Sequence, residues 1–163
     1  MRVGLRVWLL LALAPYGALA LSIASSRLMD YWRLMSLLGD ETFYVLLITL
    51  IYLGVERRLG AKVTVVLMTS LFLNQVLKNT LMTPRPSPGL IESLGYGFPS
   101  GHAQGSTTFW LYLALETGSH LALGMLIGLV PLIAYSRLAL NVHYPVDVVG
   151  GLILGVAIAL CAR

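Results

Sequence analysis

The chain has 163 residues, 58% of them hydrophobic and 11% charged, against the roughly 45–50% apolar content of an ordinary soluble domain. That balance excludes a soluble globular protein and predicts a single all-α membrane domain over residues 1–163. The formal charge of +4 is not a nucleic-acid footprint, because the basic residues are scattered between apolar runs and form no stripe interleaved with aromatics; the one cysteine, Cys161, leaves no intrachain disulfide.

In chain order, apolar runs at about residues 7–26, 42–55, 63–82, 105–117, 121–138 and 145–161 predict a polytopic bundle of about six transmembrane helices. Several runs are shorter than the roughly 20 residues a crossing needs, so flanking residues or a locally thinner bilayer must supply the rest. The first run, preceded by Arg2 and Arg6 and containing Ala18-Leu19-Ala20, also fits a cleaved signal segment. Its apolar character continues to Ile23 and Ala24, which favours a span. In a six-span chain Arg2, Arg6, Arg57, Arg58, Lys62 and Arg163 share one side, which the positive-inside rule makes cytoplasmic. The loops after the third and fifth spans then share the extracytoplasmic face of a multi-pass cell-membrane protein.

Between the first two spans, Arg27, Asp30, Arg33 and Ser36 recur every third residue against Leu, Met, Tyr and Trp. This predicts a short amphipathic helix in the outer interface with Tyr31 and Trp32 at headgroup depth, the alternative being a plain connecting turn. Asp40 and Glu41 suit the N-terminus of the second span and read as capping residues. Asn74 and Gln75, polar at membrane depth, read as interhelical hydrogen-bonding groups. Glu116 and His120 fall at the cytoplasmic end, away from the residues discussed next.

Residues 78–102 concentrate a lysine, an arginine, a histidine, four prolines and four glycines in 25 positions. Lys78 and Arg85 carry fixed positive charge, and the Arg85 fork matches phosphate or carboxylate oxygens. Pro99-Ser100-Gly101-His102 precedes an apolar run, where a helix N-terminus would offer free backbone N–H groups to an anion. A later block, SRLALNVHYPVD, ends the fifth span with Ser136 and Arg137 and places His143 just before Pro145 and Asp147. Pro145 favours the first turn of a helix, so Asp147 falls in that turn and can reach back, as in a capping box. Asp147 then either caps the helix beside a satisfied histidine or holds one nitrogen of His143 and leaves the other free to attack.

Taken together, Lys78 with Arg85-Pro86, Pro99-Ser100-Gly101-His102, and Ser136-Arg137 with His143 and Asp147 resemble the three-part signature of the type 2 phosphatidic acid phosphatase and vanadium haloperoxidase superfamily. All eleven specified positions are filled in order, over residues 78–147. The six-span outline is similar to the integral-membrane lipid phosphatases of that superfamily. The short segment between Arg85 and Pro99 leaves little room for a large substrate lid.

The resemblance implies hydrolysis of a lipid phosphate monoester or diphosphate at the outer face through a phosphohistidine. His143 would be the nucleophile, Asp147 its orienting carboxylate and His102 the general acid. Lys78, Arg85 and Arg137 would neutralise the phosphate oxygens, with Ser100 and the Gly101 amide adding hydrogen bonds. With three fixed cations no metal or other cofactor is expected; His102 and His143 together lack a third zinc ligand. The expected partners are the bilayer and a lipid such as polyprenyl diphosphate, phosphatidylglycerol phosphate or phosphatidic acid, the first of these slightly favoured. A phosphotransferase using an alcohol in place of water shares the same residues. A vanadate haloperoxidase would be a soluble protein, and a lipid transporter would need the cations without the nucleophile.

Overall fold

The computed structural model describes residues 5–24 and 27–163, with side chains for residues 10–23 in the first of these segments. Among the described residues there are eight helices and no strand: α1 (Leu5–Ala24), α2 (Leu28–Leu37), α3 (Glu41–Gly54), α4 (Arg57–Leu81), α5 (Gly101–Thr117), α6 (His120–Gly128), α7 (Val130–Ala139) and α8 (Pro145–Cys161). Every expected apolar run has a helical counterpart. Arg2, Ser26 and the side chain of Arg6 lie outside the described residues.

Helix α5 opens at Gly101, four residues before the expected apolar run, and two further boundaries differ from the sequence reading. Helix α4 begins at Arg57, six residues before the expected start, because nothing from Arg57 to Val63 breaks a helix; Arg57, Arg58 and Lys62 therefore ride on its first turns. The fifth run is two helices meeting at Leu129, where Pro131 contributes no amide N–H to the ladder.

Arg57–Leu81 and His120–Ala139 are long and apolar enough to cross a membrane, and α2 and α3, bent by 51° at their break, pass the same test together. This is a membrane protein. Helices α3 and α8, with 14 and 17 residues, are apolar but shorter. At 1.5 Å per residue they span only about 21 and 25 Å of a roughly 30 Å hydrocarbon core.

Small residues set how closely the helices approach. The interface of α5 with α8 is the most extensive in the bundle. A Cβ at Gly151 would lie 2.6 Å from the Ser100 carbonyl oxygen, and one at Gly155 would lie 2.7 Å from that of Gln104. Between α4 and α5 the buried polar groups satisfy each other. Asn74 donates to the Pro99 carbonyl (3.2 Å) and to Gln104 Oε1 (2.8 Å), Gln104 Nε2 donates to the Ser70 carbonyl (2.8 Å), and the Ser70 and Thr108 hydroxyls are 3.0 Å apart. Asn74 thus makes the interhelical bonds expected of it.

The segment between the first two spans is a helix, not a plain turn. Helix α2 buries Tyr31, Trp32, Met35 and Ser36 and exposes Arg33, Leu34 and Leu37. The Tyr31 hydroxyl donates to the Pro15 carbonyl on α1 (2.9 Å), and the Trp32 ring stands 5.0 Å from that of Tyr135 on α7.

Helix ends decide where the chemistry collects. Lys78 lies near the C-terminus of α4, Gly101 and His102 open α5, Arg137 is near the end of α7, and Asp147 is in the first turn of α8. All four elements point these ends to one side of the bundle. At the opposite end Lys62 pairs with Glu116, and Arg58 and Arg163 line a cleft with them, while His120 is exposed.

Candidate active site

A polar cavity of about 340 Å³ opens at the end of the bundle where the three sequence blocks meet. Lys78, Arg85, Gly101, His102, Arg137 and His143 all line it, although they are spread over 66 positions of the chain.

The local sequence explains how His143 is held. Pro145 starts α8, so the carboxylate of Asp147 at the third helical position reaches back over the helix N-terminus. Its Oδ2 accepts from the Tyr144 amide (2.9 Å) and lies 3.3 Å from His143 Nδ1. On the other side of the ring, Arg85 Nη1 sits 3.0 Å from Nε2. A guanidinium can only donate, so Nε2 carries the lone pair and the proton resides on Nδ1, facing Asp147. His143 and Asp147 are 4% and 2% exposed, so this arrangement is shielded from bulk water. Burial first, and then the positive charges of Arg85, Arg137 and Lys78, push the His143 pKa down to about 2. The imidazole is therefore neutral, with its lone pair aimed at a cation-lined cavity.

Arg85 also ties down the loop that covers the site. Its Nε donates to the Gly95 carbonyl (3.0 Å), Nη2 to that of Leu94 (3.2 Å) and Nη1 to that of Val142 (2.9 Å). Burial lowers its pKa from the ordinary value, with Asp147 opposing the shift. Lys78 Nζ donates to the Tyr96 carbonyl (3.1 Å), and Leu90 N–H bonds the Leu140 carbonyl (2.9 Å). The short loop thus closes the cavity wall through backbone carbonyls and, among the described residues, leaves both cations unpaired with any carboxylate.

Ser100 and Gly101 sit differently from each other. Gly101 is on the cavity wall at the start of α5, where a Cβ would press to 3.3 Å from Asn74 Oδ1. Ser100 is fully buried beside it and its hydroxyl has no partner among the described residues, while its N–H donates to the Asp147 carbonyl (2.9 Å) and ties α5 to α8. Ser136 is also buried, its hydroxyl bonded to the Ile133 carbonyl.

Several lining residues were not read as part of the site in the sequence, Asp40 and Glu41 being read as capping residues and Gln75 as an interhelical hydrogen-bonding group. Asp40 does cap α3, its Oδ1 accepting from the Thr42 amide (2.9 Å), a bond that leads the causes holding its pKa below the ordinary carboxylate value. It also lines the cavity with Glu41, Gln75, Glu92 and Ser93. Nothing in their spacing marks these residues: Gln75 comes from α4, and the others arrive through packing of the α2–α3 corner and of the loop before α5. Among the described residues no three His, Cys, Asp or Glu side chains converge as a metal-ligand set.

Comparison with known proteins extends these observations. Mouse sphingosine-1-phosphate phosphatase 2 is 30% identical over 142 residues, covering 79% of this chain and 40% of its own. Decaprenylphosphoryl-5-phosphoribose phosphatase of Mycolicibacterium smegmatis is 43% identical over 82 residues, 47% of this chain and 43% of its own. The chain spans 40% or less of the length of the sphingosine-1-phosphate relatives it matches. The crystal structure of a transmembrane PAP2-type phosphatidylglycerolphosphate phosphatase from Bacillus subtilis shares the fold, with a TM-score of 0.72 over 96% of this chain and 90% of that one at 24% identity. Residues 59–163, more than half of the chain and including every residue of the three blocks, match the PAP2 superfamily, to which this chain belongs.

Proposed function

We propose that the chain is a lipid phosphatase that cleaves a phosphate monoester or diphosphate at the outer membrane face through a phosphohistidine on His143. The observation that carries this reading is the setting of His143: Asp147 on Nδ1, a donor-only guanidinium at Nε2, and a cavity lined by two more cations. A pocket that only bound lipid phosphate would need the cations without an oriented, neutral imidazole.

In this mechanism the phosphate enters among Lys78, Arg85 and Arg137, and Arg85 Nη1 exchanges Nε2 for a non-bridging oxygen. The Nε2 lone pair attacks phosphorus in line, a P–N bond forms and the P–O bond to the leaving group breaks. His102, taking up a proton as the anionic phosphate enters beside it, donates that proton to the departing oxygen, a contribution of about 10²–10⁴-fold for a general acid of this kind. Asp147 stabilises the charge that develops on the ring. Water then attacks the phosphohistidine, giving a proton to His102, and inorganic phosphate leaves with His143 neutral again. The Gly101 amide at the N-terminus of α5 supplies a further donor where charge accumulates.

The substrate is a lipid whose phosphate reaches the site by lateral diffusion while its tail stays in hydrocarbon. The relatives' names support the class, since one acts on sphingosine-1-phosphate and another on a decaprenylphosphoryl sugar phosphate. Polyprenyl diphosphate, phosphatidylglycerol phosphate, phosphatidic acid and sphingosine 1-phosphate make the test panel. We expect detergent-solubilised protein to release phosphate from at least one of them with EDTA present, and His143→Ala to reduce release at least 10³-fold. Equal release by His143→Ala and wild type would remove the histidine nucleophile from the mechanism.

A further inference from the structure

The catalytic blocks all lie after residue 77, and the segment matching the superfamily begins at residue 59. The corner between α2 and α3 lies before both, yet it packs directly on two residues of the site. The Ser36 hydroxyl accepts a hydrogen bond from Arg137 Nη1, and both side chains are buried, at 6% and 5% exposure. Three residues on, Gly39 lies against His102: a Cβ there would fall 2.9 Å from the ring carbon Cδ2 and 2.5 Å from Ile133 Cγ2. Asp40, next in the chain, lines the cavity and interacts electrostatically with both His102 and Arg137.

Ser36 is the one side chain hydrogen-bonded to Arg137 among the described residues, and the Arg137 Nε has no partner. No carboxylate oxygen lies within 4.0 Å of the guanidinium there. The chemical type of the partner matters. A carboxylate would orient the guanidinium equally well but would neutralise the charge a phosphate needs. A hydroxyl fixes the direction of the fork and leaves its charge intact.

We propose that the α2–α3 corner is a working part of the site, in which Ser36 is a positioning residue that aims Arg137 at the phosphate and Gly39 seats the corner on the ring of His102. This rests on the phosphatase reading above. Because α2 also packs Trp32 on Tyr135 of the same helix that carries Arg137, the corner holds α7 at two levels. Part of the cavity wall is thus built from an element outside the three sequence blocks.

The test is a double-mutant cycle on Ser36→Ala and Arg137→Lys, read on the panel lipid that wild type hydrolyses fastest and on competitive inhibition by inorganic phosphate. A lost hydrogen bond to a charged group predicts that Ser36→Ala raises KM and the phosphate inhibition constant about tenfold, with a smaller change in kcat. In the Arg137→Lys background the same substitution should change them less than twofold, since its effect is routed through the guanidinium. Ser36→Thr, which keeps the hydroxyl, should inhibit like wild type. If the Ser36→Ala effect is undiminished in the Arg137→Lys background, the positioning role is overturned. A Ser36→Thr protein with an unfolding temperature matching wild type but phosphate inhibition as weak as Arg137→Lys overturns it as well, and serves if Ser36→Ala does not fold. An inactive wild type would overturn the phosphatase reading itself, whereas an active wild type without the coupling overturns this inference alone.

Discussion

His143 is nearly inaccessible to water, and burial together with the surrounding cations keeps it neutral until pH falls to about 2. In the unfolded chain the same imidazole titrates near the ordinary value of about 6.5. Between those values the unfolded state binds the extra proton, so the linkage lowers stability as pH falls below about 6.5 and vanishes above it. The slope is at most about 1.4 kcal/mol per pH unit from this group. We therefore expect the unfolding temperature of the detergent-solubilised protein to fall between pH 6.5 and 4.5, and to fall less in His143→Asn. Identical pH slopes for the two proteins would mean that His143 is not held neutral by the fold. The residues of this site were legible in the sequence because Asp147 follows His143 by one helical turn and Pro145 marks where that turn begins. Arg85 was legible as a candidate hydrogen-bond donor to phosphate, but its place on Nε2 was not, since the contact joins residues 58 positions apart.

Helix ends were more readable than helix faces. Pro145 announces the start of α8, which begins where expected, and the Ser100-Gly101 step marks the start of α5, which opens at Gly101, four residues before the expected apolar run. The early start of α4 was hidden because charged residues on its first turns read as a loop, although arginine and lysine are good helix formers. The α2–α3 corner was readable as amphipathic but not as part of the site. Ser36 looks like one more polar residue on a three-residue repeat, and only packing against α7 turns it toward Arg137. Between α5 and α8, Gly151 has a consequence for the chemistry, because a side chain there meets the carbonyl of Ser100, the residue that caps α5 and precedes Gly101 and His102. Gly151→Val should destabilise by about 1–3 kcal/mol through overpacking and also lower kcat, since relief of the clash displaces the start of α5. Gly17, whose Cβ would meet nothing within 4 Å, provides the control, and Gly17→Ala should leave turnover unchanged. Equal turnover in Gly151→Val and wild type would show that α5 is held by contacts other than this one.

At the scale of the molecule, the arrangement separates two chemistries by the length of α4. Lys62 and Lys78 are 16 residues apart on one helix, about 24 Å at 1.5 Å per residue, most of a roughly 30 Å hydrocarbon core. The Lys62 end gathers Arg57, Arg58 and Arg163 and holds no residue of the three blocks, whereas the Lys78 end holds all of the candidate catalytic groups. In the proposed orientation, excess basic residues on the cytoplasmic side place the cavity outside, so that phosphate from a lipid headgroup would be released into the extracytoplasmic space. The single cysteine makes this orientation measurable. Cys161 is exposed at the last turn of α8, at the end opposite the cavity, and Ser93 lies on the cavity loop. In intact cells a membrane-impermeant maleimide should label a Ser93→Cys/Cys161→Ser protein and leave the wild-type Cys161 unlabelled until the membrane is permeabilised. The reverse pattern would turn the molecule over in the membrane and make the phosphatase act on lipids of the cytoplasmic leaflet, with the same residues and the same chemistry.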